Sequence, residues 1–236
     1  MRIILTFNPI EKIPYNKINK FTIQGLIYKL LDDDGELKQL HDKFGYKYFN
    51  FSNIFPLGDY NENTNKKLII SSPDKRLINT LYSTLMEKEK FYLNEYEMNI
   101  DNIKLLRNNK FNKTLETGTP IAIQKNNNNN WEWFTFRNNI NFDFFKELKE
   151  NALRKYNSYY NTDFDFEGDL FKKYSFIKDV AIPLKHHENK FHIFGTIWKN
   201  LEFNPLIKNT KFTEFLYDTG IGEKNSLGFG FLNYVR

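Results

Sequence analysis

The chain has no cysteine. Disulfides, thiolate metal ligands and cysteine nucleophiles are therefore excluded, and a reducing cytoplasm is the expected compartment. No apolar run approaches the roughly 20 residues of a membrane span, so no membrane partner is expected. The apolar start Ile3-Ile4-Leu5-Thr6-Phe7 is broken by Asn8-Pro9, too soon for the core of a secretion signal. Histidine is scarce, with 4 in 236 residues, which leaves few side chains for proton transfer at neutral pH. Neither sign of charge dominates. The 34 Lys and Arg against 29 Asp and Glu give a net charge of +5, a mild basic bias that permits an anionic partner without demanding one. What the chain has in quantity is aromatic residues, 24 Phe and 14 Tyr, which serve both as core filler and as faces on which unpaired bases stack. Core is the default role for most of them. The asparagine run 126–130 reads as a loop of biased composition.

Hydrophobic periodicity divides the chain in two. Residues 2–7 form a short buried strand. Asn16 offers a cap to a helix whose buried stripe is Ile23, Leu26, Ile27, Leu30 and Leu31, with Tyr28 flanking that stripe within reach of a surface groove. Asp32-Asp33-Asp34-Gly35 ends it. A short turn over Glu36–His41 follows, then a strand over Tyr46–Phe55 and a partner strand over Lys67–Ser71. Ser72-Pro73 starts a second helix with Leu77, Ile78, Leu81 and Leu85 inward, and a strand runs from Phe91 to Arg107. This is the β-α-β-β-α-β order of a ferredoxin-like module, two helices on one sheet face and the other face open. After a polar linker at 108–114 the order repeats. A hairpin spans the asparagine run (Leu115–Gln124 with Trp131–Phe136), and a helix starts at Asn141. Two strands follow (Tyr174–Leu184 and Phe191–Phe203), then a helix from Asn204-Pro205 to Gly220 and a last strand, Gly228–Val235. The expected class is α+β, two tandem ferredoxin-like (RRM-like) domains at 1–110 and 111–236, the second with an additional strand.

Four of the 11 glycines crowd into Gly220-Ile221-Gly222-Glu223-Lys224-Asn225-Ser226-Leu227-Gly228-Phe229-Gly230. Neither a dinucleotide fingerprint nor a phosphate-binding P-loop fits this spacing, and no room remains for a βαβ unit. On pattern alone it is a helix C-cap at Gly220 followed by a glycine-bulged hairpin, or a loop whose uncovered N–H groups lie against a phosphate chain. His41 leads the acid–base candidates. RNA carries its own nucleophile, so His41 as base or acid, Lys47 or Lys43 as cation and Tyr28 as orienting hydrogen bonder form a sufficient set for phosphodiester cleavage without a metal or other cofactor. Equally, His41 simply ends an exposed turn beside Asp42 and Tyr28 packs. His186, His187 and His192 match no metal-ligand spacing and read as a solvated hairpin tip. Trp131 and Trp133 read as hairpin packing, since alternate strand residues face opposite ways.

The stretch Gly222–Gly230 resembles the C-terminal glycine-rich signature of the CRISPR-associated endoribonucleases that process precursor crRNA, within the repeat-associated mysterious protein superfamily. Pro14-Tyr15-Asn16, Gln24-Gly25-Leu26-Ile27-Tyr28 and Leu40-His41 running to Lys47 are similar as well. The resemblance implies metal-independent cleavage of CRISPR repeat RNA by 2′-OH attack, leaving 5′-OH and 2′,3′-cyclic phosphate ends. It places Tyr28, His41 and Lys47 as catalytic residues in the first domain. It makes Lys43, Gly220, Gly222, Lys224, Asn225, Ser226, Gly228 and Gly230 RNA-binding, the loop belonging to the second domain. The implied partners are CRISPR repeat RNA and other CRISPR-associated interference-complex proteins, with a homodimer open. Its alternative is a non-catalytic crRNA-repeat-binding subunit. His41 with a nearby lysine leans toward activity.

Overall fold

A computed structural model describes residues 1–236 other than 63, 107–113, 128–129, 138–142, 187 and 236. The chain divides into two compact units, Met1–Asn109 with Ser226–Gly228, and Lys110–Asn225 with Phe229–Arg236.

In the first unit β1 (Arg2–Pro9) alternates so that Ile3, Leu5 and Phe7 are fully buried on one face. α1 (Lys20–Leu30) and α2 (Lys75–Met86) lay their apolar stripes in the same core, Ile23, Leu26, Ile27 and Leu30 from one and Leu77, Ile78, Leu81 and Leu85 from the other. β2 (Asn50–Phe51), β3 (Lys66–Ser71), β4 (Lys90–Leu93) and β5 (Tyr96–Leu106) complete an antiparallel sheet of order β2-β3-β1-β5-β4. Without β4 this is the ferredoxin-like arrangement. Arg2 and Thr6, on the second face of β1, are also buried, so that face is not left open along β1.

Several boundaries move from those the sequence predicts. α1 is capped by Asn19 and not Asn16, because Asn19 and Thr22 form a reciprocal capping box. α2 starts after Asp74, whose carboxylate accepts from Arg76 N and Leu77 N. The strand expected from Tyr46 shrinks to two residues, since Gly45 and Tyr48 both have positive φ and the chain is not extended there. The single strand expected from Phe91 is instead the hairpin of β4 and β5, turned at Asn94 (φ 56°), a residue type that tolerates the left-handed region, and its expected end at Arg107 lies outside the described residues.

The second unit contains β6 (Thr114–Thr117), a hairpin of β7 (Gln124–Asn127) and β8 (Asn130–Trp133), α3 (Phe144–Tyr160), β9 (Phe171–His186), β10 (Asn189–Phe203), α4 (Thr210–Thr219) and β11 (Leu232–Tyr234). Its sheet order, β11-β6-β10-β9, repeats the first unit's, with β7 and β8 as a separate two-stranded insertion. The chain is thus an α+β protein of two tandem ferredoxin-like modules. Aromatic abundance goes into the core here. Trp198 is 1% exposed, and Phe144 stacks on it at 5.4 Å while Phe145, Phe176 and Tyr174 meet it edge-on between 5.1 and 5.8 Å. α4 begins at its cap Asn209 and not at Asn204-Pro205. The helix start expected at Asn141 and most of the expected linker lie outside the described residues, and α3 is capped by Asp143. Among the described residues no helix is long and apolar enough to cross a membrane.

Candidate active site

The acidic segment at the end of α1 shapes the turn that carries His41. Asp34 Oδ1 accepts from the N–H groups of Glu36 and Leu37 at 3.2 and 3.1 Å and so starts the 3₁₀ turn Leu37–Leu40. Arg76 of α2 donates to both Asp34, at 2.8 Å, and Glu36. The Leu37 N–H first, with Arg76 and the Glu36 N–H, holds the Asp34 carboxyl below its ordinary range.

His41 comes directly after this turn. Its ring meets Tyr28 edge-to-face at 5.0 Å, and Tyr28 meets Phe49 the same way at 5.8 Å. Tyr28 is half-buried against the core, and burial pushes its phenol up to about 12, so it stays a neutral donor. His41 Nδ1 lies 2.7 Å from Asp42 Oδ1. A carboxylate only accepts, so Nδ1 carries the proton and Nε2 is the basic nitrogen of the neutral ring. The side chain is 67% exposed, open to a ligand.

Lys47 comes to the same turn. Its ammonium donates to the carbonyls of Leu40 at 2.5 Å, His41 at 2.9 Å and Lys43, closing the C-terminal end of the turn. Burial, chiefly, lowers its pKa, while the nearby Asp42 opposes that shift. Lys43 is exposed, and its ammonium has no bonding partner among the described residues. The structure thus brings Tyr28, His41 and Lys47 together, with Lys43 beside them and the Lys47 cation engaged by backbone.

The glycine-rich stretch is mostly interior. Gly220 caps α4 with φ 83°, and Gly220, Gly222, Gly228 and Gly230 are buried. A Cβ on Gly230 (φ 66°) would lie 1.8 Å from the Ile221 carbonyl oxygen, and one on Gly228 2.4 to 2.9 Å from the Phe51 ring. No larger residue fits at either position. Lys155 of α3, 3% exposed, donates to Gly220 O at 2.9 Å, Gly222 O at 3.0 Å and Asn225 Oδ1 at 2.7 Å. Asn225 Nδ2 in turn donates to Ile221 O and Phe229 O. Asn225 therefore faces inward as a brace. Lys224 is exposed and Ser226 half-buried. Burial raises the Glu223 carboxyl while the Gln124 N–H, donating at 3.1 Å, opposes that. In the first unit Lys20, 7% exposed, donates to Gly228 O at 2.7 Å, and Gln24 Nε2 donates to Ser226 O at 2.9 Å. Burial brings both Lys20 and Lys155 down to about 7.

Sequence reasoning gave Lys20, Gln24 and Lys155 no role. A signal existed for Lys155, which falls on the apolar stripe Phe144, Leu148, Ala152, Tyr156, where a lysine needs an internal acceptor. Among the described residues no group of three His, Asp or Glu side chains could hold a metal, and His187 lies outside them. Trp131 is 65% exposed.

Residues 105–234 match the family model "CRISPR associated protein Cas6, C-terminal". The chain is 36% identical to the CRISPR-associated endoribonuclease Cas6 2 of Methanocaldococcus jannaschii, covering 100% of both chains. Among solved structures it superposes on a CRISPR associated protein Cas6 with TM-score 0.74 at 24% identity, over 100% of this chain and 99% of the other. It superposes on a RAMP protein binding different RNA substrates with TM-score 0.73 at 18% identity, over 100% of each. The tandem ferredoxin-like fold is the one these structures share with it. The chain belongs to the Cas6 family of CRISPR-associated proteins.

Proposed function

We propose that this protein is an endoribonuclease that cuts CRISPR repeat RNA within precursor crRNA, by attack of a 2′-OH and without a metal. The observation that carries the reading is His41. Its ring is braced edge-on by Tyr28 and fixed by Asp42 through Nδ1, so the basic Nε2 is the nitrogen left for substrate. In the step we assign, Nε2 removes the 2′-OH proton and the 2′-oxygen bonds to the adjacent phosphorus. The P–O5′ bond breaks, the leaving 5′-oxygen takes a proton from water, and Nε2 returns the proton it took to solvent. The products are a 2′,3′-cyclic phosphate and a 5′-OH.

Charge on the non-bridging oxygens needs a cation. Lys47 reaches it by giving up one of its carbonyl bonds, and Lys43 without giving up any. Tyr28, neutral across the working range, donates a hydrogen bond and orients His41. Ordering of the loop by Lys155 and Asn225 leaves Lys224, and in part Ser226, as the side chains presented to phosphate.

The test incubates the protein with repeat RNA from its host's CRISPR array in EDTA, beside the same RNA carrying one 2′-deoxy nucleotide just upstream of the scissile phosphate. The reading predicts cleavage of the first with a cyclic phosphate end and none of the second. Cleavage of both overturns the mechanism. Tight binding with no cleavage of either makes the chain a repeat-binding subunit instead.

A further inference from the structure

Three side chains on α1 succeed one another at the spacing of a single helix stripe, Lys20, Gln24 and Tyr28, each four residues from the next. The first two do the same thing. Lys20 Nζ donates to the Gly228 carbonyl at 2.7 Å and, more weakly, to Asn53 Oδ1 at 3.5 Å. Gln24 Nε2 donates to the Ser226 carbonyl at 2.9 Å. The third, Tyr28, carries His41.

A lysine is a poor choice at the first position of a helix, where the dipole repels a cation, and a poorer one when buried. Its backbone acceptor in the loop gives the position a reason. Phe51 supplies the floor, since the Gly228 backbone lies so close to its ring that a Cβ there would overlap it, and the Lys20 ammonium is 5.6 Å from the same ring's centre. Ser226–Gly228 is thereby fixed to α1 at two points one helical turn apart, and a further turn, about 6 Å along the axis, leads from Gln24 to Tyr28.

We infer that Lys20 and Gln24 are positioning residues for RNA cleavage: they hold the Ser226–Gly228 segment on the stripe of α1 that carries Tyr28, so that a strand lying on the segment reaches His41 with the correct phosphate. This role rests on the protein being an endoribonuclease. Neither side chain touches the reacting atoms. Their effect is on which phosphodiester is presented and how well, not on how tightly RNA is held.

The experiment compares wild type, Gln24→Leu, Gln24→Glu and Lys20→Met. It measures the single-turnover cleavage rate at saturating protein, the Kd for uncleavable 2′-deoxy repeat RNA, and the position of the cut at single-nucleotide resolution. Misplacement of this kind costs on the order of 10- to 100-fold in rate. Both Gln24 variants are expected to lose that much, with Kd changed less than about threefold and with minor cuts appearing at neighbouring phosphodiesters. Gln24 is only half-buried, so its variants keep the fold even if Lys20→Met does not, and matching thermal unfolding curves verify this. Wild-type rate and a single wild-type cut in both Gln24 variants overturn the inference while leaving the nuclease reading standing. No cleavage by the wild-type chain removes both.

Discussion

Replacing Lys155 by methionine removes the ammonium that three acceptors share while keeping most of its volume. Two effects oppose each other at neutral pH. Gly220 O, Gly222 O and Asn225 Oδ1 each lose a donor, at about 1 to 3 kcal/mol apiece. Against this, a pKa lowered from 10.5 to about 7 corresponds to roughly 5 kcal/mol of burial cost in the charged form, which the substitution relieves. The two are similar in size, so stability at pH 7 alone is a poor discriminator. The pH dependence is a good one. The folded pKa lies below the unfolded one, so between about pH 7 and 10.5 the unfolded chain holds a proton that the folded chain has released. Stability from this group therefore rises with pH across that window, by about 1.4 kcal/mol per pH unit, and its burial cost is felt in full below pH 7. Urea denaturation of both proteins at pH 7.5, 8.5 and 9.5 measures it. The wild type should gain on the variant by roughly 2 to 3 kcal/mol over those two pH units. A difference that stays constant with pH would refute the assignment of Lys155 as a buried, titrating brace.

Gly230→Ala should destabilise the protein by more than about 3 kcal/mol, because the new methyl overlaps the Ile221 carbonyl at a positive φ; a melting temperature within a degree or two of wild type would contradict this. Tyr28→Phe keeps the edge-on ring contacts with His41 and Phe49 and loses only the hydroxyl. Thermal stability should change by less than about 1 kcal/mol while the single-turnover cleavage rate falls, and an unchanged rate would reduce Tyr28 to a packing role. The two lysines of the turn should separate by assay. Lys47→Met is expected to lower the melting temperature, since three carbonyls lose their donor, whereas Lys43→Met should leave stability alone and reduce the salt dependence of RNA binding by about one counterion.

The tandem β-α-β-β-α-β order was legible because buried stripes such as Ile23/Leu26/Ile27/Leu30 and Leu77/Ile78/Leu81/Leu85 carry their period in the residues themselves. Boundaries were less so. Asn16, Ser72 and Asn204 are good caps by type, but Asn19, Asp74 and Asn209 hold the N–H groups, and only the tertiary path of the chain chooses between them. Residues 46–49 have strand propensity but form no strand, because the chain passes through positive φ at Gly45 and Tyr48. In the candidate site, the sequence singles out side chains with distinctive chemistry, Tyr28, His41 and Lys47, and the fold sets them around one turn. The sequence assigned no role to Lys20, Gln24 or Lys155, since the particular loop acceptor each one meets is fixed by the tertiary path of the chain. The glycine-rich loop illustrates this. Its glycines suggest exposed N–H groups, while in the fold its carbonyls are gathered by Lys20, Gln24 and Lys155.

His41 is the residue proposed to transfer the proton in RNA cleavage. The most direct test of this role is the single-turnover rate of wild type and His41→Ala on repeat RNA from the host's own CRISPR array, in EDTA and at saturating protein. Wild type should cleave, and the substitution should lower the rate by about 10² to 10⁴-fold with RNA binding retained. Equal rates for the two proteins, or a wild type that cleaves only when a divalent metal is supplied, would contradict it.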